Sequence, residues 1–337
     1  MTTRTLVVGT VCLFLAACSG APDMAAVQAE KSRSVKRYDI IQSVAANGEV
    51  ILAGTQDGAV LSSADQGKTW LRNNLGPVSL LGLTVCPDKT FVGIDFYHKV
   101  WTGDAKGSGW KAVALDKPRT PLTVSCDARG RWWVAGAGAK IAVSADKGAN
   151  WTVSDLKEDA QFTTLQMVDD KHGIAMGEFG MVVTTQDGGA TWQKTATIPN
   201  EFYPYAALFI NANEGWASGI AGQVLHTRDG GKTWNKDVWA KDGNGKDAAA
   251  ALYQLFLHDG KPTGVGAGGL VARYETNSSG GQWKPIAYPD AVPVFLSGGA
   301  SLTEASGVKT DAKADGAKLL ALGGPGGLVR VIDTHKN

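Results

Sequence analysis

Four aspartates recur at regular intervals in the sequence, and carboxylates are the groups from which general acids, general bases and metal sites are often built. Asp146, Asp187 and Asp229 are separated by 41 and 42 residues, and each lies in a segment that begins with Ser or Thr and ends with Trp. The recurring positions of the four segments are Ser63, Asp65, Gly67 and Trp70; Ser144, Asp146, Gly148 and Trp151; Thr185, Asp187, Gly189 and Trp192; and Thr227, Asp229, Gly231 and Trp234. Aspartates at such intervals belong to different repeats of a chain, so we expect them to lie too far apart to share one substrate.

A tight turn explains these segments without a ligand. The oxygens of the Asp and of the Ser or Thr can accept backbone N–H bonds inside a turn. The Gly adopts the positive φ that a side chain would resist, and the Trp can fold back over the hairpin and bury a large apolar surface. We therefore interpret the segments as structural turns and predict no catalytic residue in them.

The histidines offer no second candidate for a catalytic or metal site. His226 lies in one of the repeats, and His335 lies near the C-terminus. His98, His172 and His258 have no His, Cys or acidic partner at the spacing of metal ligands. The sequence predicts neither a metal site nor a cofactor.

The charged residues are balanced, which bears on the class of partner. The chain has 33 Lys and Arg and 32 Asp and Glu among 337 residues. Without an excess of positive charge, no electrostatic field is available to hold a polyanion. Nucleic-acid binding is therefore not expected.

The repeat predicts the architecture that positions these residues. Degenerate copies of the segment end at Trp110 and Trp283, and the six tryptophans are separated by 40, 41, 41, 42 and 49 residues. Each unit contains four short strand patterns, which is the spacing of a propeller blade. We predict an all-β fold, a seven-bladed β-propeller of four-stranded antiparallel blades over residues 39–337, with six or eight blades as alternatives. A strand from residues 33–46 is expected to complete the last blade.

These segments resemble BNR/Asp-box repeats, and they are called Asp-box turns below. The fuller pattern, clearest in residues 214–234, resembles the photosystem II stability/assembly factor family of seven-bladed propellers over residues 39–335. The resemblance implies a non-enzymatic scaffold that helps to assemble or stabilise a membrane protein complex, and some relatives accompany RND-type exporters. Unlike the photosynthetic members, this chain has no clustered arginines: its ten are scattered from Arg4 to Arg330. That difference weakens the case for a photosystem partner.

An Asp-box glycoside hydrolase of the sialidase type is the alternative function. Such an enzyme needs an arginine cluster, a Tyr–Glu nucleophile pair and an acidic general acid. Glu201 and Tyr203 are close in the sequence, but Arg72, Arg119 and Arg129 crowd into the early blades. The scaffold is the function that these residues favour.

The N-terminus has the pattern of a bacterial lipoprotein signal. The apolar stretch Leu6 to Ala17 is too short to cross a bilayer and has the length of a signal-peptide core. It ends in a sequence that resembles a lipobox, so we predict a signal peptide at 1–17 and a lipidated Cys18 that begins a tether over 18–38. Ser19 after the cysteine favours the outer membrane, with the protein facing the periplasm. An ordinary secretory signal is the alternative.

Two further cysteines occupy equivalent positions in neighbouring repeats. Cys86 and Cys126 precede the tryptophans of their units by 24 and 25 residues, which places both at the ends of innermost strands. An even pair of cysteines in an oxidising compartment tends to be bonded, and adjacent innermost strands converge near the axis. A disulfide is predicted, with two small buried thiols as the alternative.

Aromatic residues interrupt the otherwise glycine-rich turns on one side of the predicted propeller. The turns between second and third strands share a face with the connections between blades, opposite the Asp-box turns; we call it the partner face. The predicted partner-binding residues on this face are Asp95, Phe96, Tyr97, His98, Glu178, Phe179, Phe202, Tyr203, Trp239 and Tyr288. Exposed aromatics on one face indicate recognition of a protein or an apolar ligand. Alternatively, they fill the central channel or the seams between blades.

Overall fold

The computed structural model describes residues 23–278, 280–302 and 319–335. The α-helix found in these ranges, α1 (Ala25–Ser32), belongs to a unit separate from that of the strands, and none of its residues is buried. The predicted tether therefore contains a helix, whereas the predicted signal peptide and Cys18 lie outside the described residues. Within those residues, no helix is long and apolar enough to span a membrane.

The strands form seven antiparallel sheets in chain order. The first three sheets consist of β1 (Ile41–Ala46), β2 (Ile51–Thr55), β3 (Ala59–Ser63) and β4 (Leu71–Asn74); β5 (Leu80–Val85), β6 (Phe91–Asp95), β7 (Lys99–Gly103) and β8 (Lys111–Ala114); and β9 (Pro121–Cys126), β10 (Trp132–Gly136), β11 (Lys140–Ser144) and β12 (Thr152–Asp155). The next three consist of β13 (Phe162–Met167), β14 (Gly173–Gly177), β15 (Met181–Thr185) and β16 (Gln193–Thr197); β17 (Pro204–Phe209), β18 (Gly215–Gly219), β19 (Val224–Thr227) and β20 (Asn235–Lys236); and β21 (Leu252–His258), β22 (Lys261–Gly266), β23 (Val271–Asn277) and β24 (Gly280–Pro285). The seventh consists of β25 (Gly298–Ser301), β26 (Leu319–Gly323) and β27 (Val329–Asp333).

The predicted seven-bladed β-propeller is confirmed, but its closure differs from the expectation. The strand from the N-terminal segment, β1, is the innermost strand of blade one and pairs with β2, so it does not complete the last blade. Blade seven has three strands in the described part of the chain, and it meets the N-terminal segment through an isolated bridge between Ile40 and Pro325. The physical reason is burial. Ile41 and Val44 of β1 are buried, as in a strand packed between two blades, whereas an outermost strand such as β4 is largely exposed.

The hydrophobic core lies between the blades. The second strands of blades one to five are buried at every position, as expected for strands covered on both faces. Seven apolar clusters in the described residues each combine side chains from two neighbouring blades. One of them packs Trp133 of β10 against Phe162 of β13 and Val183 of β15. The blades are thus held together mainly by burial of apolar surface.

Backbone hydrogen bonds join the blade connections to the turns between second and third strands. The amide of Leu75 donates to the carbonyl of Gly58 at 2.8 Å, and the amide of Leu115 donates to that of His98 at 2.8 Å. The same bond joins Ile198 to Gly180 at 2.8 Å in blade four. These contacts form the partner face, and the Asp-box turns occupy the other end of each blade.

Candidate partner-binding face and channel mouth

The Asp-box carboxylates use their oxygens inside their own turns. Asp65 accepts the Thr69 amide at 2.9 Å and the hydroxyls of Thr69 at 2.5 Å and of Ser63 at 2.8 Å. The hydrogen bond from the Thr69 hydroxyl, followed by that from the Thr69 amide, lowers the pKa of Asp65 to about 2. Asp104, in a degenerate copy, accepts the Ser108 amide at 2.9 Å in the same way. The geometry is that of a turn, with each carboxylate in a separate blade.

The Asp-box glycines also contact the preceding blade. Gly189 has φ +85, and a Cβ at this position would lie 2.0 Å from the ring of Trp133 in blade three. Gly67 has φ +83, and a Cβ there would lie 2.8 Å from Val331 in blade seven. These positions require glycine both for their backbone conformation and for the close approach of the neighbouring blade. The sequence indicates the first requirement but not the second.

Four of the predicted partner-face side chains are exposed aromatics. Phe96, Tyr97, Phe179 and Tyr203 have exposed fractions of 51%, 58%, 60% and 38%. Phe96 and Tyr97 form an edge-to-face pair with ring centroids 6.0 Å apart, next to the exposed His98. These side chains are free to contact another molecule.

Asp95 and Glu178 instead organise the turns that carry the aromatic residues. Asp95 is fully buried and accepts the Tyr97 amide at 2.7 Å and the indole N–H of Trp101 at 2.8 Å. Glu178 is half-buried and accepts the Gln161 amide at 3.0 Å. Both carboxylates stabilise the partner face from within.

Three of the predicted partner-face aromatics pack inside the propeller. Phe202 and Trp239 are 2% and 4% exposed and belong to apolar clusters between blades. Tyr288 is half-buried and donates its hydroxyl to the carbonyl of Gly269 at 2.6 Å. For these residues the alternative interpretation, that they fill seams between blades, is correct, because the connections fold inward where an apolar ring can be covered.

A row of aromatic rings that the sequence analysis missed continues from Tyr203. The ring centroids of Tyr203 and Tyr205 are 6.0 Å apart, and those of Tyr205 and Tyr253 are 5.5 Å apart. The centroids of Tyr253 and Phe295 are 6.5 Å apart. The row crosses blades five and six and ends at the connection into blade seven. We call Tyr203, Tyr205, Tyr253 and Phe295 the aromatic row.

A bulge near the start of the innermost strand recurs in six blades. In blade five, Pro204 pairs with Gly219 and Ala206 with Ser218, so Tyr205 is the extra residue. The six bulged residues, called the bulge ring, are Gln42, Leu81, Leu122, Thr163, Tyr205 and Tyr253. A bulge re-aims a side chain, and here all six line one cavity of about 350 Å³, the channel mouth.

The opposite end of the channel holds the two cysteines. Cys86 and Cys126 form a disulfide with their Cα atoms 5.1 Å apart, which joins the innermost strands of blades two and three. They line a cavity of about 580 Å³ together with apolar residues such as Met167, Phe209 and Phe256. This cavity lies toward the Asp-box turns, away from the partner face.

Three arginines of the early blades are each paired with an aspartate. Arg72 bonds to Asp39 at 2.9 Å, Arg129 to Asp170 at 3.0 Å and Arg131 to Asp127 at 2.7 Å. Among the described residues, no three His, Cys, Asp or Glu side chains are grouped so that they could hold a metal ion.

Comparison with known proteins connects this propeller to one family. Residues 146–285 match the model of the family described as photosynthesis system II assembly factor YCF48. The photosystem II assembly lipoprotein Ycf48 of Synechococcus sp. (strain CC9902) is 28% identical over 110 residues, or 31% of this chain and 33% of that protein. This chain is similar to the YCF48 assembly factors. The resemblance indicated by the Asp-box repeats is therefore confirmed, although the match spans about a third of the curated relative.

Solved structures agree on the fold. YCF48 from Cyanidioschyzon merolae has a TM-score of 0.64 at 15% identity, covering 89% of this chain and 97% of that one. YCF48 bound to D1 peptide has a TM-score of 0.57 at 18% identity, covering 71% of this chain and 78% of that one. The U3-55K structure reaches 0.67 at 10% identity, covering 88% and 95%. At these identities the likeness establishes the propeller alone.

The match to the YCF48 model begins in the Asp-box turn of blade three and ends with β24 of blade six. This region contains Phe179, Tyr203, Tyr205 and Tyr253. The segment that matches the family model therefore carries Phe179 and three of the four rings of the aromatic row.

Proposed function

We propose that this protein is a non-enzymatic scaffold that binds a subunit of a membrane protein complex and helps to assemble or stabilise that complex. The match of residues 146–285 to the YCF48 family model carries the proposal. A relative is a photosystem II assembly lipoprotein, and another YCF48 has been solved with a D1 peptide. Both descriptions concern proteins that act on another polypeptide.

The partner face is the surface we assign to this binding. Phe96, Tyr97 and Phe179 are more than half exposed. Aromatic side chains are enriched in the buried centre of protein–protein interfaces. Each lies on a turn that is stabilised by hydrogen bonds from backbone amides to the carboxylate of Asp95 or Glu178. Such preorganised side chains lose little conformational entropy on binding, which favours their use as anchors.

We further propose that the protein is held at a membrane of the bacterial envelope by an acylated Cys18, most simply at the outer membrane facing the periplasm. The lipobox-like sequence before Cys18 supports the anchor. The Cys86–Cys126 disulfide supports an oxidising compartment. An RND-type exporter is the partner we propose, because some relatives in the family that this chain resembles accompany such exporters. A photosystem partner is less favoured, because the arginines near the early blades are paired with aspartates and do not form a cluster.

The glycosidase alternative is not favoured by the geometry. Such an enzyme, as stated above, needs a cluster of arginines. Arg72, Arg129 and Arg131 of the early blades are instead each paired with an aspartate, at 2.9, 3.0 and 2.7 Å.

Photo-crosslinking tests the proposed function. A benzophenone side chain at Phe179 should capture a membrane protein subunit in intact cells, identified by mass spectrometry. The same group at Lys68, exposed on an Asp-box turn, should capture none. Absence of any captured membrane subunit from Phe96, Tyr97, Phe179 and Tyr203 would reject the scaffold function.

A further inference from the structure

The third strand of blade seven has one edge without a neighbouring strand. Six blades carry a fourth strand that pairs with the third, whereas β27 has no such neighbour among the residues that the structure describes. The same difference is found in burial. The third strands β3, β15 and β19 are buried at all positions or at all but one, but β27 is buried only at Ile332. We call the outward side of β27 the open edge.

The hydrogen-bond pattern shows which backbone groups lie on the open edge. In an antiparallel ladder, directly opposite residues alternate between bonded and non-bonded pairs. The Gly324 amide donates to the Leu328 carbonyl at 2.9 Å, and β26 pairs with β27 in the same register without a bulge. The even-numbered residues of β27 therefore bond to β26, whereas Val329 and Val331 direct their amides and carbonyls to the open edge.

The residues of β27 do not protect this edge. Unpaired N–H and C=O groups on an edge strand are a template for another strand, and proteins often block such edges with charged side chains or proline. β27 contains no proline. The guanidinium of Arg330 donates to the carbonyls of Pro289 at 3.3 Å and Asp290 at 2.6 Å, and Asp333 accepts the His335 amide at 3.0 Å. The open edge can therefore accept a strand.

The two described segments nearest to β27 are held elsewhere. Before blade one, the Asp39 carbonyl accepts the Gly327 amide at 2.8 Å, so this segment crosses the β26–β27 turn instead of following β27. After β27, the Thr334 hydroxyl lies 2.9 Å from Nε2 of His258 in blade six. An occupant of the open edge therefore comes from neither segment.

The surroundings of the open edge specify the side chains of an added strand. Val329 and Val331 lie on the side of blade one, in an apolar cluster with the half-buried Val35 and Trp70. A strand beside β27 places every second side chain on this side. It should therefore be apolar at alternate positions.

The open edge begins at the partner face, which favours the partner polypeptide as the source of the strand. The β26–β27 turn lies against Phe295, since a Cβ at Gly324 would be 2.7 Å from the Phe295 carbonyl. Phe295 is 45% exposed and ends the aromatic row. A polypeptide bound to the partner face can therefore continue along β27 without crossing another blade.

We propose that the open edge binds an extended segment of the partner polypeptide as the fourth strand of blade seven, antiparallel to β27 and apolar at alternate positions. This inference rests on the proposed function and deepens it, since it specifies the backbone conformation and the side-chain pattern of what the scaffold binds. Main-chain bonds to Val329 and Val331 supply affinity, and the alternating apolar side chains supply specificity, as in other additions of a strand to a sheet edge.

Peptide binding to the full chain tests the inference. Random peptides displayed on phage are selected for binding, and each backbone amide of a selected peptide is then N-methylated in turn. A strand added to one edge directs every second amide to β27. Methylation should therefore weaken binding about tenfold at alternate positions and have little effect between them. Equal sensitivity at consecutive positions, or at none, would overturn the inference.

Hydrogen exchange in the native chain supplies an internal control. Without peptide, the amides of Val329 and Val331 should exchange fast and those of Arg330 and Ile332 slowly, because only the latter two are bonded to β26. The selected peptide should slow exchange at Val329 and Val331. Slow exchange at these two amides without peptide would overturn the inference: it would assign the edge to a second copy if dilution restores fast exchange, and to another segment of this chain if dilution does not.

Val331→Pro tests one outward amide. Proline is tolerated in an edge strand where the N–H faces away from the ladder, so the variant removes a donor from the open edge and keeps the bonds to β26. Val331→Ala is the matched control, since it shortens the side chain and retains the amide. The selected peptides should bind Val331→Pro about tenfold more weakly than Val331→Ala, and equal binding would overturn the inference. The N-methylation and exchange measurements use the native chain, so they decide the question even if Val331→Pro does not fold.

Capture in cells separates this inference from the proposed function. A benzophenone side chain at Phe295 should capture the membrane subunit, and Val331→Pro should reduce that capture relative to Val331→Ala. Equal capture with both variants would overturn the open edge as a binding site and leave the scaffold function intact. Failure of the scaffold function has its own signature, the absence of a captured membrane subunit even though peptides bind the open edge.

Discussion

At the scale of the residue, burial divides the tryptophans into two groups. The Asp-box tryptophans at positions 70, 151, 192 and 234 are half-buried, whereas Trp132, Trp133 and Trp216 on second strands and Trp283 on β24 are fully buried. Trp216 stacks on His226 with centroids 4.3 Å apart and donates to Asp237 at 2.9 Å. Apart from Trp283, which ends a degenerate copy, the tryptophans that mark the repeat in the sequence are therefore not the most deeply buried ones.

This difference predicts unequal losses of stability. Trp216→Ala removes a ring that is 1% exposed and should lower the free energy of unfolding by about 3–5 kcal/mol. Trp192→Ala, in a half-buried Asp-box position, should lower it by clearly less. Urea denaturation of both variants and the native chain measures the two losses. Equal losses would show that the Asp-box tryptophan carries as much of the core as Trp216.

His258 is a buried imidazole between blades six and seven. Its Nδ1 lies 3.0 Å from the Ser301 hydroxyl and its Nε2 lies 2.9 Å from that of Thr334. Burial, followed by the positive charge of Arg273, lowers its pKa from 6.5 to about 4. The folded protein thus keeps this imidazole neutral under conditions in which the unfolded chain protonates it.

The lowered pKa predicts a loss of stability in weak acid. Between pH 6.5 and pH 4 the unfolded state binds a proton at His258 that the folded state does not, so stability falls as the pH falls. The protonation of His258 in the unfolded state should lower the free energy of unfolding by about 3 kcal/mol near pH 4. Denaturant titrations from pH 7 to pH 4 should show a shallower decline for His258→Gln than for the native chain. Parallel declines in both proteins would refute the assignment.

At the scale of the element, side-chain bonds reinforce the seams between blades. The amide of Asn47 donates to the carbonyls of Lys89 at 2.9 Å and Ala105 at 2.8 Å, which joins blade one to blade two. Gln166 exchanges two bonds with the backbone of Phe209, at 2.8 and 2.9 Å, between blades four and five. The Ser218 hydroxyl donates to the carbonyl of Leu252 at 2.9 Å between blades five and six. Neighbouring blades are thus joined by side chains where no sheet continues.

The disulfide is the covalent member of this set, between blades two and three. It closes a loop of 40 residues, for which the chain-entropy model gives about 4 kcal/mol of stabilisation. Replacement of Cys86 and Cys126 together by Ser should lower the free energy of unfolding by about this amount, and reductant should have no effect on the variant. Denaturation with and without dithiothreitol measures both. A native protein whose stability is the same in reductant would contradict the prediction.

The elements also show what the sequence could and could not predict. The Asp-box turn is local, so its hydrogen-bond donors, acceptors and glycine can be recognised within eight residues of sequence. The interval between successive turns predicted the blades. The bulge ring is set by register between two strands, and its members include Gln42, Leu81 and Tyr205, which share no chemical type. Burial of Phe202 beside the exposed Tyr203 likewise depends on how a connection folds over the neighbouring blade. Those features depend on packing between blades, which leaves no repeated pattern in the amino-acid sequence.

At the scale of the whole molecule, the ring is closed by packing and by a few bonds near the chain ends. The amide of Gly327 donates to the carbonyl of Asp39 at 2.8 Å, and that of Ile41 donates to Gly324 at 3.2 Å. An apolar cluster joins Ile41 and Leu61 of blade one to Ala321 of blade seven. These contacts join the start of blade one to the last blade, so residues from both ends of the propeller hold its closing seam together.

The proposed anchor at Cys18 also belongs to this scale, because it would hold the whole propeller at a membrane. Cys18→Ala removes the residue that we propose to be acylated, so the protein should be recovered in the soluble envelope fraction or accumulate as an uncleaved precursor. Because Cys18 precedes β1, the first strand of the propeller, in the sequence, the substitution should leave the urea midpoint of the purified propeller unchanged, which separates loss of anchoring from loss of folding. Fractionation and mass spectrometry of the N-terminus provide the measurement. A Cys18→Ala protein that is still processed and still bound to membranes would show that the acyl chain is not the anchor.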